Sequence, residues 1–133
     1  MTYLTTDTMT NLLKTLLNRT LDDVILSGIV DTNDNPADFI PLLDHIYLVV
    51  GGVLVEISRD EVSVSLAVRV VPAVRVLHEL EDGQLACRSS IGKYVLVNPL
   101  ANNHICKIII YQGKNGAYQA IEIILQSGQV IFF

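Results

Sequence analysis

The sequence predicts an α+β fold, in which a mainly antiparallel β-sheet meander carries an N-terminal helix packed on one face. Residues 45–71 are rich in β-branched and aliphatic side chains, and they are interrupted at Gly51-Gly52 and again by the polar residues 58–61. This pattern is typical of three successive antiparallel strands. Between residues 9 and 17, apolar side chains instead recur at spacings of three and four, which is typical of a helix.

The helix is predicted over about residues 8–18, with Thr6 or Asp7 as its N-cap. Its apolar stripe consists of Met9, Leu12, Leu13, Leu16 and Leu17. A leucine stripe of this kind most often packs on the protein's own core, and the alternative is a helix that binds in the groove of a partner. We therefore expect the stripe to lie on the sheet.

The expected strands are residues 23–30, 45–50, 53–58, 62–70, 105–112, 117–126 and 129–133. Gly51-Gly52 suits a two-residue hairpin turn that needs positive φ at both positions. Asn, Asp and Pro make residues 31–36 a loop, and residues 37–43 fit one helical turn. Two segments are ambiguous: 73–80 fits a strand or a helix, and 84–97 fits a short helix or a strand near 94–97.

The size of the chain, 133 residues and 14.7 kDa, predicts one domain over residues 1–133. Half of the residues are hydrophobic and the mean hydropathy is +0.44. The longest apolar run nevertheless contains Gly51-Gly52 and stops at Glu56, whereas a membrane-spanning helix needs about 20 apolar residues. The N-terminus lacks the pattern of a secretory signal, so we expect a cytoplasmic protein with Cys87 and Cys106 as free, largely buried thiols.

The charge of the chain is unevenly distributed. The net charge is −5, and residues 1–60 carry nine acidic side chains against three basic ones. An acidic surface argues against nucleic-acid binding, which requires a basic face. It is compatible with a basic protein partner, because complementary charge speeds encounter. The alternative is that the acidic residues keep an apolar domain in solution.

Residues 31–35 begin like a calcium-binding loop, with side-chain oxygens at its first, third and fifth positions. Such a loop needs a glycine at position six and a bidentate glutamate at position twelve. These positions hold Pro36 and Leu42, so we interpret the segment as an ordinary turn.

His104 and Cys106 are two residues apart in a predicted strand, so their side chains share one face. Such a pair is compatible with a nucleophile and its base, or with half of a metal site completed by His78 or Cys87. No pattern identifies the remaining partners, and a cysteine in an apolar strand is usually a small buried hydrophobe.

Glu56 and Glu122 each interrupt an aliphatic strand. Two carboxylates across a cleft would suit acid–base catalysis if burial raised the pKa of one. We expect Glu56 instead on the solvent face, since Val55 and Ile57 share the opposite face. We therefore predict no catalytic, cofactor-binding or metal site, and a protein that is not an enzyme.

Two passages, IYLVVGGVLVEI at 46–57 and AIEIILQSGQVIF at 120–132, resemble the small bacterial immunity proteins of polymorphic and contact-dependent growth inhibition toxin systems. The likeness lies in their strand–turn–strand patterns. It implies a compact, acidic, non-enzymatic domain that neutralises a cognate toxin domain, often a basic nuclease.

The partner-binding surface is expected in and beside the first loop, because binding residues concentrate on loops. The predicted residues are Asp22, Asp23, Asp31, Asp34, Asp38 and Asp44. Two other functions fit the sequence. One is a homo-oligomeric structural or assembly subunit that pairs through the edge of the closing strand at 129–133. The other is a small-molecule-binding domain with an apolar pocket.

Overall fold

A computed structural model of the chain describes residues 6–60, 62, 64–75, 80–96, 103–113 and 116–133. It confirms the predicted α+β fold, and the residues it describes include an N-terminal helix and eight antiparallel strands. The helices are α1 (Thr6–Leu16) and the short α2 (Gly92–Val95). The strands are β1 (Leu21–Asp31), β2 (Phe39–Val50), β3 (Val53–Asp60), β4 (Ser65–Val70), β5 (Gln84–Ser90), β6 (Ile105–Gln112), β7 (Tyr118–Leu125) and β8 (Val130–Phe132).

The strands form one sheet in the order β5-β1-β2-β3-β4-β7-β6, and β8 pairs with β7. Strands β1 to β4 are neighbours in both sequence and space, as the predicted meander requires. The chain then crosses to the far side of β1 to form β5, and returns to form the β6–β7 hairpin. The crossover brings segments that are distant in sequence against the ends of β1.

Helix α1 packs on the sheet as predicted. Its side chains Met9, Leu13 and Leu16 are buried, whereas Leu17 is exposed beyond the end of the helix. The Met9 sulfur accepts a hydrogen bond from the Val68 backbone N–H at 3.4 Å. The helix therefore covers part of β4 with its apolar face, and that face belongs to the main core.

The main core is almost wholly aliphatic, as the scarcity of aromatic residues predicts. Its buried residues are Met9, Leu13, Leu16, Leu21, Val24, Leu48, Val50, Val55, Ile57, Leu66, Val68, Leu96, Ile105, Tyr118, Ile121, Ile123 and Leu125. Burying aliphatic side chains contributes roughly 1.5–3 kcal/mol each, so this cluster is the principal stabilising feature of the fold.

Strand β2 begins at Phe39, so the predicted helical turn at 37–43 and the predicted strand start at His45 are wrong. Phe39, Ile40 and Pro41 pair with the last part of β1. The pairing between β2 and β3 begins only at His45, which leaves the earlier part of β2 without β3 beside it. Pro41 lies in this earlier part of β2. It is tolerated because a proline has no backbone N–H to donate, and β3 does not lie beside Pro41 to accept such a bond.

Strand β4 begins at Ser65, three residues later than predicted. Val64 has a φ of 54°, and the side chain of Val62 is 94% exposed. Val62 and Val64, which were predicted to start the strand, therefore belong to the turn between β3 and β4.

The ambiguous segment at 84–97 contains both a strand, β5, and a short helix, α2. Residues 73–75 have neither structure, and 76–79 lie outside the described residues.

The described helices include none that is long and apolar enough to cross a membrane. Cys87 and Cys106 are free, as predicted. The expectation that both are largely buried is wrong for Cys106, which is exposed on β6. Its thiol donates a hydrogen bond to the Ile124 carbonyl at 3.5 Å.

Candidate functional site

The six aspartates predicted to bind a partner do not form one cluster. Asp31, Asp34 and Asp38 lie at the end of β1 and in the loop that follows it. Asp22 and Asp23 lie at the start of β1, roughly 30 Å away at about 3.3 Å per residue. Asp44 is exposed within β2. The structure therefore brings together three of the six residues.

Asp23 has a structural role. Its carboxylate accepts hydrogen bonds from the backbone N–H groups of Val24 at 2.8 Å and Gly92 at 2.9 Å, and from the Ser90 hydroxyl. These bonds tie the start of β1 to the turn between β5 and α2. The side chain of Asp22, by contrast, is exposed.

The loop after β1 is held against the turn that precedes β5. The backbone N–H and the hydroxyl of Thr32 donate to the Gly83 carbonyl at 2.8 and 2.7 Å. The Asn33 side-chain amide donates to the Asp82 carbonyl at 3.3 Å, and its backbone N–H donates to the Asp31 carboxylate at 2.9 Å. These contacts place two acidic segments side by side.

We call the resulting surface the acidic end. Its members are Asp31, Asp34, Asp38, Glu81 and Asp82, all exposed except Asp31, which is half-buried. Residues 31–38 and 80–86 contain no Lys, Arg or His, so these two segments carry no compensating positive charge. Sequence reasoning missed Glu81 and Asp82, because the pairing of Asp31 with Gln84 joins residues far apart in the chain.

Glu56 is fully buried, so its predicted position on the solvent face is wrong. One carboxylate oxygen accepts a hydrogen bond from Arg69 Nε at 2.9 Å. The other accepts from the Tyr47 hydroxyl at 2.9 Å and from Arg75 Nε at 3.1 Å. The face of β2, β3 and β4 that bears these side chains is thus a second, polar interior, which we call the Glu56 cluster.

The segment after β4 completes the Glu56 cluster. The Arg75 backbone N–H donates to the Tyr47 hydroxyl at 3.0 Å, and the Ser27 hydroxyl donates to the Arg75 carbonyl at 2.8 Å. Val74 beside it is buried. Hydrogen bonds from β1 and β2 therefore lay this segment over the sheet, and the segment covers Glu56.

The electrostatics of the Glu56 cluster favour the charged carboxylate. Burial by itself raises the pKa of Glu56, but the Tyr47 and Arg69 hydrogen bonds and the charges of Arg75 and Arg69 outweigh it, so the pKa is lowered. Burial, together with the Glu56 carboxylate, raises the pKa of the Tyr47 hydroxyl. A carboxylate held in this state is suited to a structural role, since proton exchange at neutral pH calls for a raised pKa.

Glu56 and Glu122 have separate partners and do not form a carboxylate pair. Glu122 on β7 accepts a hydrogen bond from the Tyr111 hydroxyl at 3.0 Å, which raises the pKa of Tyr111. Tyr111 in turn contacts Phe132, with ring centroids 6.0 Å apart. This second glutamate therefore belongs to the outer surface of β6, β7 and β8.

His104 and Cys106 do not assemble a metal site with other described residues. His104 Nδ1 hydrogen-bonds the Thr20 hydroxyl at 2.9 Å. Among the described residues, no group of three or more His, Cys, Asp and Glu side chains could hold a metal ion. His78, a further predicted partner, lies outside the described residues.

Comparisons with protein-family models, with curated proteins and with solved structures found no match.

Proposed function

We propose that this protein is a non-enzymatic inhibitor of the immunity-protein type, which binds a basic bacterial toxin domain through the acidic end. The observation that supports this proposal is the attachment of Thr32 and Asn33 to the turn at Asp82-Gly83, which presents five carboxylates on one surface. A nuclease is the favoured partner class, because a domain that binds phosphates must itself carry a positive face.

The negative charge of the acidic end and the fixed position of its loop both favour association with a basic partner. Complementary charge accelerates diffusional encounter and disfavours partners of the wrong sign. Hydrogen bonds hold the loop in place before binding, so the loop loses less conformational entropy when the partner binds. A nuclease whose basic face is covered in this way cannot contact nucleic acid.

The two passages that resemble immunity proteins lie away from the acidic end. Residues 46–57 belong to the hairpin of β2 and β3, and residues 120–132 belong to β7 and β8. Both passages build the scaffold, and the loop after β1 and the turn before β5 supply the charge. In this proposal the scaffold is general and the acidic end determines the partner.

The test compares two double variants of equal charge. Asp34→Asn/Asp38→Asn removes two exposed carboxylates from the acidic end, and Asp22→Asn/Asp44→Asn removes two exposed carboxylates elsewhere. Each tagged protein is used to capture partners from a lysate of the source cells, and the bound proteins are eluted over a salt gradient. We expect one stoichiometric basic protein on the wild type, earlier elution from Asp34→Asn/Asp38→Asn, and unchanged elution from the control variant.

Two results would contradict the proposal. Equal effects of both double variants would mean that total charge, and not the acidic end, governs the interaction. Recovery of the bait alone from the lysate of the source cells would exclude a constitutive inhibitor complex.

A second candidate, a homodimer through a strand edge, is favoured by the geometry of β8. Ile121 and Phe133 exchange two backbone hydrogen bonds, and Leu125 bonds to Gln129, so the alternate residues Val130 and Phe132 direct their backbone groups away from β7. Their side chains are 49% and 64% exposed. An exposed apolar edge of this kind can pair with a second copy, although short edges pair weakly.

Light scattering across a concentration series separates the two candidates. The edge-pairing function requires a dimer, and replacing Val130 with lysine should then restore the mass of a monomer, because an edge lysine opposes pairing. A monomeric mass for the wild-type protein at every concentration would exclude this candidate and leave the inhibitor proposal intact.

A further inference from the structure

A row of apolar side chains crosses three strands next to the acidic end. Val30 on β1 pairs with Leu85 on β5 and with Phe39 on β2. Residues that lie directly opposite each other in antiparallel strands share a face of the sheet, so these three side chains lie side by side. We call them the apolar row. Leu85 is 57% exposed, and Val30 and Phe39 are half-buried.

Gly28 holds the ring of Phe39 in place. It lies two residues before Val30 in β1, so both residues share one face of the strand. A Cβ atom at Gly28 would lie 2.7 Å from a carbon of the Phe39 ring. The ring therefore rests on the backbone of β1, and this part of the row is ordered before any partner binds.

The apolar row lies outside the main core. Val24, an earlier residue of β1 on the same face as Val30, belongs to that core. Among the described residues, neither the core cluster nor the side chains packed against it include Val30, Phe39 or Leu85. A contiguous apolar surface with an exposed leucine is typical of a site of protein–protein interaction.

Acidic residues flank the apolar row on all three strands. Asp31 follows Val30, Asp38 precedes Phe39, and the acidic pair at 81–82 lies in the turn before β5. An apolar centre within a polar rim is the usual anatomy of a protein–protein interface. A second copy of this chain is a poor occupant, because it would bring two acidic ends together and like charges repel. A basic protein matches both the centre and the rim.

We infer that the apolar row is the centre of the surface that binds the basic partner, and that an apolar side chain of the partner packs on Leu85 and Phe39. Lysine or arginine side chains around it would then reach the acidic end. This inference rests on the proposed function, from which it takes the basic partner. The two parts of the surface have different effects, because complementary charge mainly speeds encounter, whereas the packed centre slows dissociation.

The experiment is a nuclear magnetic resonance titration of the isotope-labelled full chain with two short synthetic peptides of equal charge. Lysine alternates with leucine in one peptide and with serine in the other. We expect both peptides to shift the resonances of the acidic end, and the leucine peptide alone to shift those of Val30, Phe39 and Leu85. The leucine peptide should bind about tenfold more tightly, as expected when one leucine side chain is largely buried.

Two variants that replace an exposed apolar side chain with threonine sharpen the test. Leu85→Thr removes the most exposed member of the apolar row and keeps a residue suited to a strand. Val70→Thr changes a side chain that is 52% exposed on β4, which β2 and β3 separate from β1. Leu85→Thr should remove most of the tenfold preference for the leucine peptide, and Val70→Thr should leave it unchanged. The backbone spectrum of each variant shows directly whether it is folded.

Three results would overturn the inference. The two peptides bind with equal affinity; the leucine peptide shifts no resonance of the apolar row; or Leu85→Thr and Val70→Thr lower its affinity equally. The inhibitor proposal would still stand if Asp34→Asn/Asp38→Asn weakens both peptides more than Asp22→Asn/Asp44→Asn does. Equal weakening by these two double variants, with the preference for leucine intact, would instead contradict the acidic end and leave the apolar row as the binding surface.

Discussion

Replacing Glu56 with alanine is expected to lower the free energy of unfolding by about 3 kcal/mol at pH 7, because removing one partner from a buried ionic network leaves the others unsatisfied. The Tyr47 hydroxyl and the Nε groups of Arg69 and Arg75 would each lose their acceptor. The measurement is urea-induced unfolding followed by circular dichroism.

Glu122→Ala is the matched control. Glu122 also interrupts an aliphatic strand, but it is half-buried and accepts one hydrogen bond, from an exposed tyrosine. We expect a loss of about 1 kcal/mol or less, as for a single hydrogen bond near the surface. Equal losses for the two alanine variants would contradict the structural role of the Glu56 cluster.

The effect of Glu56→Ala should depend on pH. Because the folded state holds the pKa of Glu56 below the ordinary value of 4.5, its charge stabilises the fold fully above that pH. This stabilisation is lost as the pH falls through the folded-state pKa. The difference in stability between wild type and Glu56→Ala should therefore be constant near neutrality and shrink under acidic conditions. A difference that does not change with pH would show that Glu56 contributes by packing and not by charge.

Replacing Gly28 with alanine is expected to destabilise the fold by about 3 kcal/mol, because overpacking that displaces backbone is costly. A methyl group at Gly28 would lie against the Ile40 carbonyl oxygen and 2.7 Å from the Phe39 ring. Gly28 is a residue of β1 at the point where the register with β2 shifts, so these neighbours cannot move without disturbing the strand pairing. The measurement is again the midpoint and slope of urea unfolding.

Gly113→Ala provides the comparison. Its methyl group would meet the side-chain nitrogen of Gln119 at 2.6 Å, and that flexible, exposed side chain can move aside. The expected change is under about 1 kcal/mol, as for most surface substitutions. A loss at Gly113 as large as that at Gly28 would show that the close approach of β1 and β2 is not responsible for the effect.

The sequence contains enough information to predict part of the Glu56 cluster. Gly51 and Gly52 define a two-residue turn, which sets the register of the β2–β3 hairpin. That register places Tyr47 directly opposite Glu56, as the structure shows. Glu56 was wrongly assigned to the solvent face. Alternation within β3 shows which residues share a face of the sheet, but it does not show that another segment covers that face. A tyrosine opposite an isolated glutamate in an apolar hairpin was the available signal.

The remaining parts of both sites depend on contacts between distant segments. Arg75 reaches Glu56 because the segment after β4 folds back over the sheet, and no local pattern predicts that path. The acidic end likewise requires β5 to pair with β1, which places Asp82 beside Asn33. Local patterns predicted the helix from its apolar spacing, and they predicted the β2–β3 turn and the strands β6 to β8, which follow one another closely in the chain. They failed at the starts of β2 and β4.

The most direct test of the proposed function is the rate of association between this protein and the purified basic domain that it captures, measured across a range of ionic strength. Steering by the acidic end predicts a rate that falls by at least about tenfold from low to high salt. It also predicts a shallower salt dependence for Asp34→Asn/Asp38→Asn than for Asp22→Asn/Asp44→Asn. A rate that does not change with salt, or the same slope for both double variants, would contradict recognition through the acidic end.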